Sequence, residues 1–183
     1  GRAPGTDGAT MRALRRDRVE TEEDFPRDVA ELQRLLGPAD PHARISATPG
    51  SDTHVPIWLL GSSLYSAQLA AMKGLPYAFA SHFAPRFLHQ AIAMYRQLFR
   101  PSAVLAKPYV MVGVPVVAAP TDAEAQLLAT SSQKRVLGIL TGQRGKLPPP
   151  QEGFMQTLHA RERAAVDDFL AMSVVGSPDT VRQ

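Results

Sequence analysis

The sequence predicts an α/β fold with parallel strands, and three observations carry that expectation. The first is the stretch Val55 to Phe83, VPIWLLGSSLYSAQLAAMKGLPYAFASHF, which reads as strand, turn, helix, glycine stop and second strand. The second is its opening run Val55-Pro56-Ile57-Trp58-Leu59-Leu60, continuously apolar because the strands of a parallel sheet are covered on both faces. The third is that strand-like and helix-like segments go on alternating after Phe83 with no fixed-period repeat. That is the pattern of βα units and not of a solenoid.

Composition narrows the function classes. With 183 residues, 44% hydrophobic and 20% charged, the chain has ordinary globular composition and length enough to bury one core. The formal charge of +3 comes from scattered Lys and Arg, with Arg15-Arg16 the densest pair, so there is no basic stripe of the kind nucleic acid demands. Cysteine is absent, which excludes disulfides and thiolate metal sites. No apolar run approaches the roughly 20 residues needed to cross a bilayer, so no membrane role is expected.

Taken in order, residues 7–23 are polar and of mixed charge, an exposed loop with at most a short helix near Ala9 to Arg16. Phe25, Val29, Leu32 and Leu36 recur at helical spacing before Gly37-Pro38, which predicts an amphipathic helix over 26–36. Residues 37–54 lack periodicity and form a connector, in which His42 and His54 are solvated, since no partner stands at metal-binding spacing. After the Val55 strand, Gly61 breaks the run, Ser62 or Ser63 caps a helix, Gly74 supplies its left-handed stop, and Pro76 opens the strand Tyr77 to Ala80. Pro85 to Phe99 is the next helix, with His89 in a structural place.

Tyr109 to Ala119 is the following strand, with a bulge or break expected at Pro115. Thr121 and Glu124 form a capping box for a helix reaching Leu140. Residues 141–158, rich in Gly and Pro, read as a mobile excursion, residues 160–172 as a helix, and Val174-Val175-Gly176 as the lead into a helix opened by Ser177-Pro178. Counted from Val55, about three parallel strands are expected, fewer than a closed barrel needs.

Two places offer chemistry. Ser62, Ser63 and Ser66 put hydroxyls beside a helix start, where free backbone N–H groups and the helix dipole favour an anion. Capping alone accounts for the same residues, and spacing leaves both readings open. His82 follows a strand at its C-terminal end, where it can donate to a ligand carbonyl, shuttle a proton, or bond a loop carbonyl.

The segment GSSLYSAQLAAMKGLPYAFASHF, together with GRAPGTD at the start and DFPRDVAELQRLL, KPYVMV and VGSPDTVRQ elsewhere, resembles the bacterial luciferase-like flavin-dependent monooxygenases, in particular their uncharacterised bacterial branch. The resemblance spans the whole chain and implies a (β/α)8 barrel. The chain is then an internal fragment, a partial barrel missing the N-terminal strands and the last strand. Within that single domain, 1–54 would be active-face loop, outer helix and connector, 55–140 the βα repeats, 141–158 a variable insertion over the substrate pocket, and 159–183 a C-terminal helical part.

The resemblance also implies a flavin-dependent monooxygenase in the cytoplasm, using reduced FMN and molecular oxygen on a small organic substrate. The FMN would come from a separate flavin reductase, and the enzyme would be a homodimer. It implies Arg2, Gly61, Ser62, Ser63, Ser66 and Ser81 around the cofactor, His82 as catalytic residue, and no metal. An F420-dependent hydride-transfer oxidoreductase of the same fold, or a non-catalytic remnant or assembly partner, are the alternatives.

Overall fold

The computed structural model describes residues 24–143 and 145–183. Arg2 and the expected loop over 7–23 lie outside them. The first helix, α1 (Asp24–Leu36), keeps the spacing read from the sequence and buries Val29. The connector to the sheet has neither helix nor strand, and His42 and His54 are exposed in it.

A three-stranded parallel sheet comes next, in the order β1 (Leu59–Gly61), β2 (Tyr77–Phe79) and β3 (Val110–Val112). The first strand starts four residues later than the apolar run suggests. Its pairing begins at Leu59 opposite Tyr77, because Pro76 precedes Tyr77 and brings no N–H to extend the ladder; the last contact there is Leu59 N–H donating to the Pro76 carbonyl, 3.0 Å. Between β1 and β2 runs α2 (Leu64–Lys73), closed by Gly74 in the left-handed conformation (φ 61°, ψ 34°) with its N–H on the Ala70 and Ala71 carbonyls. A side chain at Gly74 would also collide with the Arg100 carbonyl, 2.5 Å from the Cβ position. Gly74 is required on both counts.

After β2 a single turn of 3₁₀ helix (Pro85–Phe87) leads into α3 (Leu88–Leu98), which packs against α2 on one face of the sheet. Leu59, Tyr77, Phe79, Ala67, Ala70, Ala71, Ala91 and Tyr95 make the core there. The small alanines let α2 and α3 lie close, and the aromatic rings fill the space that remains. Tyr95 crosses this core to donate to the Leu75 carbonyl (2.9 Å) and accept from Tyr109 N–H (3.2 Å), tying α3 to the starts of β2 and β3. Among the described residues, the opposite face of the sheet is uncovered at β1 and β3. Leu60 and Met111 lie in one row across Ala78 and are 49% and 54% exposed.

The expected break at Pro115 changes the strand's neighbour. The run Tyr109 to Ala119 forms β3 and, beyond Gly113–Pro115, β4 (Val116–Ala118), which pairs in parallel with β5 (Val174–Gly176). The sequence count of about three strands therefore falls short, and Val174–Gly176 is a strand, not merely the lead into a helix. Three residues are too few to show periodicity. Helix α4 (Asp122–Leu140) starts as expected, Glu124 N–H donating to the Thr121 hydroxyl at 3.2 Å.

Of the expected excursion 141–158, residues 145–158 do not stand away from the body. Gln151 N–H donates to Thr130 (2.9 Å), Lys134 donates to the Pro149 carbonyl (3.2 Å), and Phe154 of the short α5 (Phe154–Thr157) is buried. Helix α6 (Ala160–Phe169) then leads to β5, and α7 (Pro178–Val181) is held by Asp122, whose carboxylate accepts from Ser177 N–H and Thr180 Oγ1. Those bonds hold the Asp122 carboxyl below its usual value.

Burial raises the phenols of Tyr77 and Tyr95 above their ordinary value, against a smaller opposing effect of their hydrogen bonds. The unfolded chain then loses these protons first as pH rises, near pH ~10, so their contribution is complete below that pH and declines above it. Urea unfolding between pH 8 and 11 should show stability falling above about pH 10, with a shallower fall in Tyr77→Phe.

Candidate functional site at the strand ends

Register brings the C-terminal ends of three strands level. Gly61, Phe79 and Val112 stand opposite one another, and two further bonds continue the ladder, Ala80 N–H to the Gly61 carbonyl and Gly113 N–H to the Phe79 carbonyl, each 2.9 Å. The residues just past the three strands thus share one edge: Ser62-Ser63 after β1, Ser81-His82 after β2, and Gly113 after β3. In open and closed parallel sheets this is the end where ligands bind.

The serine turn has two layers. Ser63 holds the N-cap position of α2 with extended backbone (φ −131°, ψ 162°), but its hydroxyl makes no cap hydrogen bond. Ser63 is exposed and Ser62 half-buried, at the start of a ten-residue helix, where first-turn N–H groups suit a phosphate. Ser66 lies beneath, 7% exposed. It donates to the Ser63 carbonyl at 2.8 Å and lies 3.4 Å from the Tyr77 hydroxyl. A hydroxyl has one proton to give, so while this bond stands Ser66 cannot also donate to an anion. Gly61 explains how the layers fit: a Cβ there would overlap the Ser66 hydroxyl.

His82 sits on a β-turn closed by Phe83 N–H donating to the Ala80 carbonyl at 3.0 Å. Its imidazole is exposed, with Phe83 beside it, ring centroids 4.2 Å apart. The other side of the ring meets Gly113, where the Cβ position is 3.0 Å from His82 Nδ1. Ser81 is fully buried, and its hydroxyl donates to the Gly113 carbonyl. Like Ser66, it spends its proton inside the protein. The resemblance groups Arg2, Gly61, Ser62, Ser63, Ser66 and Ser81 around one ligand; Arg2 lies outside the described residues, and the structure brings the other five to the same edge with Ser63 exposed, Ser62 half-buried and Ser66 and Ser81 buried.

A model of the luciferase-like monooxygenase family matches residues 10–183. The chain belongs to this family. A luciferase-like monooxygenase of Escherichia coli K12 is 48% identical over 182 residues, covering 100% of this chain and 54% of that protein. The Bacillus subtilis protein YvbT is 46% identical with the same coverage. The crystal structure of apo-MsnO8 superposes with a TM-score of 0.77 at 30% identity, covering 99% of this chain and 55% of that one. The chain thus spans about half the length of the luciferase-like relatives it matches, and its α/β architecture is the one found in that structure.

Tyr77 and Gly113 are the parts of this candidate site that the sequence did not single out. Tyr77 sits in an apolar strand, and the available signal was that a buried phenol needs a polar partner. Gly113 stands in a β-rich run, where an isolated glycine marks a bulge or a close approach. Beyond His82, Phe83 walls one side of a cleft of about 900 Å3 whose other walls mix Leu137, Ile139 and Phe169 with Lys134, Arg135 and Glu162. Among the described residues no cluster of His, Asp or Glu could hold a metal ion, and no helix is long and apolar enough to cross a membrane.

Proposed function

We propose that the full-length protein is a flavin-dependent monooxygenase that uses reduced FMN and molecular oxygen on a small organic substrate. The observation that carries this reading is the convergence, in a chain of this family, of a serine turn that exposes Ser63 and a histidine on one strand-end edge. Bound reduced FMN would supply the electrons and the site of oxygen chemistry. Ser62, Ser63 and the first-turn N–H groups of α2 would hold its phosphate, joined by Arg2, whose guanidinium suits an anion of this kind. Gly61, Ser66 and Tyr77 would keep the turn in shape from below.

His82, level with the turn and one strand away, would donate a hydrogen bond to, or exchange a proton with, the reacting end of the cofactor or the substrate. The cleft beyond Phe83, where Leu137, Ile139 and Phe169 stand beside Lys134, Arg135 and Glu162, would take part of the substrate. A separate flavin reductase would deliver the reduced cofactor, and the enzyme would work as a cytoplasmic homodimer.

The test is a binding and turnover experiment on the full-length protein. FMN should bind, and a flavin reductase with NADH should drive substrate-dependent oxygen uptake. Retention of F420 in place of FMN, with no oxygen uptake, would instead assign hydride transfer. Absence of binding to either flavin would overturn the enzymatic reading altogether.

A further inference from the structure

The Ser81 hydroxyl has a geometry unlike that of Ser62 and Ser63 in the β1 turn. It is fully buried, it lies one residue before His82, and it reaches across to the next strand to donate to the Gly113 carbonyl. The backbone around it is fixed as well, with Ser81 N–H on the Phe79 carbonyl (3.1 Å), Phe83 N–H on the Ala80 carbonyl (3.0 Å) and Gly113 N–H on the Phe79 carbonyl (2.9 Å). The residue it binds is the one whose missing side chain makes room for the imidazole, since a Cβ at Gly113 would stand 3.0 Å from His82 Nδ1 and 3.3 Å from Cε1.

We propose that Ser81 is a positioning residue for His82: its hydroxyl staples the β2 turn to Gly113 and so fixes the imidazole over the glycine, and it does not itself touch a ligand. A phosphate offers only acceptors, and the one proton of Ser81 is already given to a carbonyl. Without the staple, the Ala80–Phe83 turn keeps its own backbone bond but loses its side-chain tie to β3, and the ring is free to leave the Gly113 backbone. The catalytic consequence rests on the proposed role of His82 in turnover. The placement of the ring does not.

The experiment is a double-mutant cycle with a structural readout, on the full-length protein. In crystal structures, Ser81→Ala should move the His82 ring off Gly113, and Gly113→Ala should do the same from the other side with Ser81 unchanged. Turnover should fall roughly 10- to 100-fold in Ser81→Ala, the scale of an ångström-sized misplacement, while FMN affinity and KM change less than about twofold. The same substitution made in a His82→Ala background should cost almost nothing further.

An unmoved ring in Ser81→Ala would overturn the proposal even in a protein that shows no flavin-dependent activity. So would additive losses in the cycle, or a tenfold loss of FMN affinity with turnover retained at saturation, which would return Ser81 to the ligand shell. A wild type without flavin-dependent turnover but with the ring displaced in both variants would refute the proposed function and leave the staple standing.

Discussion

Replacing His82 with Ala should lower turnover by about 100-fold or more while leaving FMN affinity within a few-fold of wild type. A positioned acid or base contributes typically ~10²–10⁴-fold, and His82 is the only titratable side chain in the strand-end segments 61–63, 80–82 and 113. It sits on the exposed side of a turn whose backbone bonds do not involve its ring, so its loss should cost little stability. Its contact with Gly113 and Phe83 is an edge contact, not core packing. His82→Gln, which keeps hydrogen-bonding capacity but cannot carry the proton, separates the two chemical roles: recovery of most activity would mean that the ring only donates a hydrogen bond. Parallel losses of melting temperature and turnover in both variants would make it a loop anchor.

Gly61→Ala should be severe for a reason that lies below the site. Its Cβ would overlap the Ser66 hydroxyl and stand 2.5 Å from the Ser66 Cβ, so rotating the serine does not relieve the clash and β1 must move away from α2. Overpacking of this kind costs about 1–3 kcal/mol. Losing the Ser66 bond to the Ser63 carbonyl, next to the buried Tyr77 hydroxyl, adds about 1–3 kcal/mol for polar groups left without partners. A total of about 2–6 kcal/mol is a large part of a typical stability of about 5–15 kcal/mol, and it should appear in the denaturation midpoint. Combining it with Ser66→Gly, which removes both the Ser66 hydroxyl and the Ser66 Cβ that lies 2.5 Å from the new Cβ, should recover part of the loss, and Ser66→Ala, which keeps that Cβ, should recover less. If Gly61→Ala is as stable as wild type, the two-layer description of the turn is wrong.

Where local chemistry sets the structure, the sequence was readable. The left-handed residue after α2 could only be Gly74, the Thr121 cap was visible from its spacing with Glu124, and Pro115 announced the break between β3 and β4. Strand limits were not readable in the same way, because they depend on the partner: Val55 to Trp58 are as apolar as a strand should be, but β2 offers nothing to pair with before Tyr77. The three residues of β5 are defined only by β4 beside them.

The site divides along the same line. Ser62, Ser63, Ser66 and His82 were legible because they follow strand ends and, for the serines, open a helix, which is a local pattern; Gly61 and Ser81 joined them only through the family resemblance. Which of them face outward was not legible, since that depends on contacts such as Ser81 with Gly113 and Ser66 with Tyr77, 32 and 11 residues apart in sequence.

The most direct test of the claim that the β1 turn holds a phosphate is to compare FMN with riboflavin, which differs from it by that group alone. In equilibrium fluorescence titrations the full-length protein should prefer FMN, and Ser62→Ala/Ser63→Ala should shrink that preference by roughly tenfold, the scale of one charge-assisted hydrogen bond, with riboflavin affinity unchanged. An undiminished preference for FMN in the double variant, or equal losses for both flavins, would contradict the assignment and leave the two serines as parts of a helix start.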